Sequence, residues 1–140
     1  VWKGGAMKLR KRVCLFVASF AWLAGAGAAS GQGGFPFDRE LLLDARPMPG
    51  SKRIPNMDVG ANGAMALEMW CNRVEGQMVV AGDTVTVITG QPTARPCPPE
   101  RARGDAELLD ALNAVTNWRW QGDAMLLIGP KTLRFKLPTN

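Results

Sequence analysis

Apolar and polar positions alternate most regularly between residues 77 and 89. Gln77 to Val80 leads into a turn at Ala81-Gly82-Asp83, and Thr84-Val85-Thr86-Val87-Ile88-Thr89 then alternates threonine with branched apolar residues at period two. This pattern predicts a hairpin with Val85 and Val87 toward a core and Thr84 and Thr86 toward solvent. Upstream, Glu40 to Arg46 holds three consecutive leucines, which suits a strand buried on both faces or a short helical turn, and Pro47-Met48-Pro49-Gly50 stops it. Lys52 to Met57 is a second strand that Pro55 pushes toward a sheet edge. The Asn62-Gly63 step suits a tight turn, and Ala64 to Cys71, with Glu68 its only charge, reads as a central strand.

The period changes after the prolines at 98 and 99. Leu108, Leu109, Leu112 and Val115 recur at helical spacing, Asp105 is placed to cap that helix, and Glu107 and Asp110 fall on or near its solvent side. Gly104 predicts that Pro99 to Arg103 lies outside the same helix. Strand patterning returns in Trp118 to Gln121, Met125 to Ile128 and Leu133 to Leu137, separated by turns at Gly122-Asp123 and Gly129-Pro130. The expected class is α+β, a curved antiparallel sheet with one principal helix inserted before the last strands.

Charge changes the picture at the N-terminus. The 140 residues carry a formal net charge of +5, yet Lys3, Lys8, Arg10, Lys11 and Arg12 fall within the first thirty residues, which hold no acidic side chain. Setting those five aside leaves twelve basic residues of the seventeen, equal to the twelve acidic ones. A neutral domain has little electrostatic affinity for phosphate backbones, so nucleic acid is not an expected partner. The basic segment Lys8 to Arg12, the apolar run Val13 to Ala24 and the small residues Gly25 to Ser30 have the form of a secretory signal peptide, with Ala26-Gly27-Ala28 offering a cleavage site. The run is shorter than a bilayer span, and Cys14 lies too early in it to accept a lipid, so no membrane association is expected after cleavage. This reading divides the chain into a leader with an upstream extension at 1–30, a flexible Gly-rich linker at 31–38, and a domain at 39–140 in the periplasm or outside the cell.

An exported domain with two remaining cysteines favours one bridge between them, so Cys71 and Cys97 are expected to form a disulfide. A catalytic dithiol normally has C-x-x-C spacing, and a zinc site would need further ligands from a chain with no histidine. The lack of histidine also removes Ser-His-Asp and Cys-His centres, and no catalytic residue, metal or cofactor is expected. Glu68 and Glu75 flank the first cysteine as a conceivable carboxylate pair for a hydrolase, although solvated strand charges explain them better. Asp83 and Asp123 follow glycines at turns, where local hydrogen bonding accounts for them. Arg95, Arg101 and Arg103 are interleaved with Glu100 and Asp105 and read as a solvated loop rather than an anion site. Trp118 and Trp120 share one strand face, where they either pack in the core or line an apolar groove for a ligand or partner.

The order of motifs resembles the META domain family, the HslJ-like bacterial heat-shock and envelope proteins. Its carriers here are Cys71-Asn72 followed by Gly76, Thr93 with Cys97 four residues on, the leucine-rich helix at Leu108 to Leu112, and Gly122-Asp123 before a closing hairpin that ends in Leu133 to Phe135. Trp70 and Pro96 depart from the pattern, standing where the family usually has small residues. The resemblance implies an antiparallel half-barrel or cone of strands with a helix packed against it, and a non-catalytic role in envelope stress or drug tolerance through binding or structural support. A monomer is expected, with an envelope protein or an apolar small molecule as partner; the alternative is a periplasmic inhibitor or carrier using the Trp118 and Trp120 face.

Overall fold

The computed structural model of the chain describes residues 33–139. The expected leader and its cleavage site lie outside the described residues. Eight strands and one helix follow in the order β1 (Glu40–Leu43), β2 (Asn56–Val59), β3 (Ala64–Glu68), β4 (Arg73–Ala81), β5 (Thr84–Thr89), α1 (Pro99–Asn113), β6 (Asn117–Gln121), β7 (Ala124–Ile128) and β8 (Leu133–Lys136). The α+β class and the strand-rich order are as expected, but the sheet is a closed antiparallel barrel rather than a half-barrel or cone. Closure comes from β8 returning to β1, with Leu42 opposite Lys136 and Leu43 opposite Phe135.

Period-two patterning places the core inside this barrel. Val74 and Met78 of β4, Val85 and Val87 of β5, and Leu133 and Phe135 of β8 are all buried, while Thr84 and Thr86 are exposed. Leu41, Met57, Leu67, Met125 and Leu127 complete an interior rich in methionine, a side chain that fills irregular gaps. The turn between β2 and β3 needs Gly63, whose φ is +81° and whose missing Cβ would strike the Met78 carbonyl.

Three further expectations change. Lys52 to Met57 is not an edge strand: β2 starts after Pro55 and pairs with both β1 and β3, while the buried proline contributes only its carbonyl, which accepts the Leu43 amide at 2.9 Å. The helix begins at Pro99 and runs through Gly104 for 15 residues, so Asp105 sits within it and is not its cap. Proline at the first helical turn is compatible with that start because its missing N–H would have no intrahelical acceptor. Helical glycine costs about 1 kcal/mol relative to alanine, but this one is packed over: a Cβ on Gly104 would lie 2.5 Å from Met48 Cε and 2.7 Å from Trp70 Cδ1. Finally, the described part of the expected linker is packed down. Phe35 is only 9% exposed, and Asp38 donates its amide to Val59 O of β2 at 2.8 Å.

The barrel has one thin seam. β5 and β6 share a single residue pair, Thr84 opposite Asn117, whereas β6 and β7 are matched along all of β6. Two main-chain bonds hold the seam, Val85 N–H to Thr116 O and Trp118 N–H to Asp83 O, each at 2.9 Å. The cause is the intervening helix, which separates the two strands in sequence and brings its C-terminal end to β5, where Asn113 Nδ2 donates to Thr89 Oγ1 at 2.9 Å.

Candidate functional site

Cys71 and Cys97 are joined by a disulfide, with Cα atoms 6.1 Å apart. The neighbouring residues form one hydrogen-bonded hub. Asn72 Oδ1 accepts from Thr93 Oγ1 at 2.9 Å and from the Arg95 amide at 2.8 Å, while its Nδ2 donates to Cys97 Sγ at 3.1 Å. From the helix, Asp105 accepts the Cys71 amide at 3.0 Å and the Asn72 amide at 2.7 Å. This carboxylate is 6% exposed, so the bonds replace water that burial removes. The atoms of Cys71, Cys97 and Asp105 that would bind a metal lie within 4.8 Å of one another, but the sulfurs are bonded together and the carboxylate holds two amides. The trio acts as a latch that ties the start of β4 to α1.

Asp105 is therefore a buried acceptor rather than the expected helix cap. The signal was present in the helical period, because Asp105 precedes Leu108 by three residues and Leu112 by seven and therefore shares their buried face.

Glu68 and Glu75, the two carboxylates flanking Cys71, are engaged by arginines. Glu68 pairs with Arg53 and, at 3.2 Å, with Arg73; Arg73 also reaches Glu75 at 3.1 Å. Arg101 donates to the Gly50 carbonyl at 3.0 Å, while Arg95 and Arg103 are exposed, so the three arginines do not converge on one point. Asp123 lies 3.8 Å from Arg134, which also binds Asp44 at 3.0 Å; Asp44 in turn accepts Lys136 at 3.1 Å. The hydrogen bond from Lys136, with the charges of Lys136 and Arg134 behind it, holds the Asp44 carboxyl below its ordinary range.

The tryptophan pair is where the sheet opens. Trp118 and Trp120 stand opposite Leu127 and Met125, both buried, so the indoles lean toward the barrel interior and remain half-buried at its rim. Trp118 donates through Nε1 to Gly82 O at 2.8 Å and meets Phe35 edge-on, with ring centroids 5.2 Å apart. Trp120 donates to Gly33 O at 2.9 Å. Together with Gly33, Gly34, Asp83, Arg119 and Ile128 they border an open cavity of about 600 Å³ beside the thin seam. Arg119 projects from the opposite face and is exposed. The rings pack on the core and also border this cavity.

A second cavity of about 340 Å³ was not anticipated. Trp70, Met48, Leu43, Leu108 and Leu133 line it, with Glu107 and Lys131 among its polar residues. It borders Gly104, the position at which a side chain would fill the space now held by Trp70 and Met48.

Residues 40–138 match the family model described as META domain. The chain belongs to the META domain family. That span covers all eight strands and the helix, so the Cys71-Asn72, Thr93 and Cys97 hub lies within the matched META region. A search among curated proteins found no match. Among solved structures, the META chain is similar to one described as an NMR structure of the protein from Burkholderia xenovorans, at 18% identity and a TM-score of 0.61, covering 74% of this chain and 84% of that one. A second, described only as an NMR structure of the protein, is also 18% identical, with a TM-score of 0.55 over 71% of this chain and 88% of that one. At such identity the likeness concerns the fold alone.

Proposed function

We propose that this META domain is a non-catalytic binding or structural module of the cell envelope that contributes to tolerance of heat or drug stress. The observation that carries the binding role is the half-buried Trp118 and Trp120 pair beside a cavity at the thinnest seam of the barrel. Aromatic side chains with one apolar face and a bonded polar edge are well suited to a partner surface, since their contact area costs little conformational entropy. The envelope location is supported by the leader pattern and by the Cys71–Cys97 bridge, which is compatible with an oxidising compartment.

Affinity capture from an envelope fraction, with and without heat or antibiotic stress, tests the role. A partner retained by the wild-type chain and lost with Trp120→Ala at comparable thermal stability is the expected result; absence of any partner under both conditions refutes it. N-terminal sequencing of exported material should begin near residues 29 to 31, and an intact leader would overturn the export reading. A second reading, a carrier or inhibitor that takes an apolar small molecule, is favoured by the cavity, whose volume of about 600 Å³ falls in the range of small-molecule sites.

A further inference from the structure

The thin β5–β6 seam leaves part of one strand edge without a main-chain partner. Trp118 directs its N–H toward β5, where Asp83 O accepts it at 2.9 Å. Main-chain groups two residues apart on a strand point to the same side, so the N–H and C=O of Trp120 face that side as well. β5 does not reach them, because its register with β6 is the single pair Thr84 and Asn117 and the chain turns away at Gly82, where φ is +61°. Among the described residues Trp120 has no register partner on that side and makes no turn or loop main-chain bond there. On the other edge every residue of β6 from Asn117 to Gln121 is matched to β7.

We propose that this edge receives an extended peptide segment of a partner protein as an added strand. The inference rests on the tryptophan-lined binding role proposed above and names the class of partner. An unpaired strand edge selects an extended backbone, because only that conformation presents N–H and C=O groups at the matching spacing. A residue opposite Trp120 on the added strand sends its side chain to the same face, and that face opens on the cavity walled by Trp118 and Trp120. Apolar side chains at alternate positions of the partner are therefore required. The intervening positions meet the outer face, where Arg119 and Gln121 are exposed, and accept polar or acidic residues. Main chain is already accommodated nearby: the carbonyls of Gly33 and Gly34 accept the Trp120 indole N–H at 2.9 and 3.3 Å, a use of the side chain that leaves the Trp120 backbone groups available.

Residue-resolved amide hydrogen exchange of the full chain tests this. The probes are a capped pentapeptide alternating threonine and valine and the same peptide N-methylated along its backbone, which keeps the side chains but cannot approach or donate to the edge. At about ten times its dissociation constant, the unmodified peptide is expected to slow exchange of the Trp120 amide about tenfold. The Arg119 and Gln121 amides, turned toward β7, should not change, and the N-methylated peptide should leave Trp120 exchange unaltered. Equal slowing by the N-methylated peptide would place binding on the tryptophan side chains alone, overturning strand addition while leaving the tryptophan-face reading intact. Unchanged Trp120 exchange up to the solubility limit of the peptide overturns the proposal, as does protection confined to the outward face of β4 and β5 around Val79 and Ile88. Neither of these two results touches the capture experiment that tests the broader role.

Discussion

Replacing Asp105 by alanine removes one side chain and strands two main-chain amides, those of Cys71 and Asn72, in a part-buried setting. A hydrogen bond to an ionised acceptor contributes about 1.5–3 kcal/mol net, so the pair is worth about 3–6 kcal/mol before relief of the carboxylate's own desolvation is subtracted. A net loss of about 3 kcal/mol is expected, which in a domain of this size lowers the melting temperature by about 10–20 °C. Asp105→Asn keeps one acceptor oxygen and turns an amide group toward the second N–H, so its loss should be intermediate. Chemical denaturation followed by circular dichroism, with the disulfide intact, measures both. Glu107, exposed on the same helix, provides the control: its alanine variant should stay within about 0.5 kcal/mol of wild type. A cost for Asp105→Ala below about 1 kcal/mol, or no greater than that of the Glu107 variant, would refute the latch.

The disulfide spans a sequence separation of 26, and its reduction should destabilise the domain by about 3–4 kcal/mol on the loop-entropy model; labelling of the denatured, unreduced domain should find neither Cys71 nor Cys97 free. Gly104→Ala gains helix propensity of about 1 kcal/mol but drives a methyl group into Met48 and Trp70, so a net loss of about 1–3 kcal/mol is expected. A second change, Trp70→Ala, should make that added methyl less costly, which a double-mutant cycle would register. The depressed Asp44 carboxyl contributes stability that is fully present above the ordinary carboxylate range and is lost as pH falls through its lowered folded value. Asp44→Asn should therefore flatten the acid limb of the stability profile at and below the ordinary carboxylate range, and an unchanged limb would count against the Lys136 and Arg134 contacts.

Local pattern made most of the strands legible. Threonine and valine alternation at 84–89, and the split of Leu133 and Phe135 from Arg134 and Lys136, are properties of adjacent residues that any antiparallel sheet preserves. Closure was not legible, because the pairing of Leu42 with Lys136 joins distant parts of the chain and leaves no mark on either segment alone. The helix start is not legible for a related reason: Gly104 is a helix breaker by propensity and a packing requirement by context, and only the position of Trp70 distinguishes the two. Phe35 was hidden by its glycine neighbours, which suggest a tether although the ring itself packs against Trp118. At the candidate site the shared face of Trp118 and Trp120 followed from their spacing, whereas the groove beside them depends on where β5 ends relative to β6.

The pairing of β1 with β8 also has a consequence for biogenesis. Each of the other strand pairs joins neighbours in the chain, so hairpins can assemble one after another as the polypeptide lengthens. The ring itself waits for Leu133–Lys136, the last strand of the domain to be made, and until then β1 offers a bare flank to any strand-like sequence nearby. A nascent chain stalled before residue 133 would thus hold most of its hairpins yet remain an open ribbon, vulnerable to proteases and to pairing with its own copies.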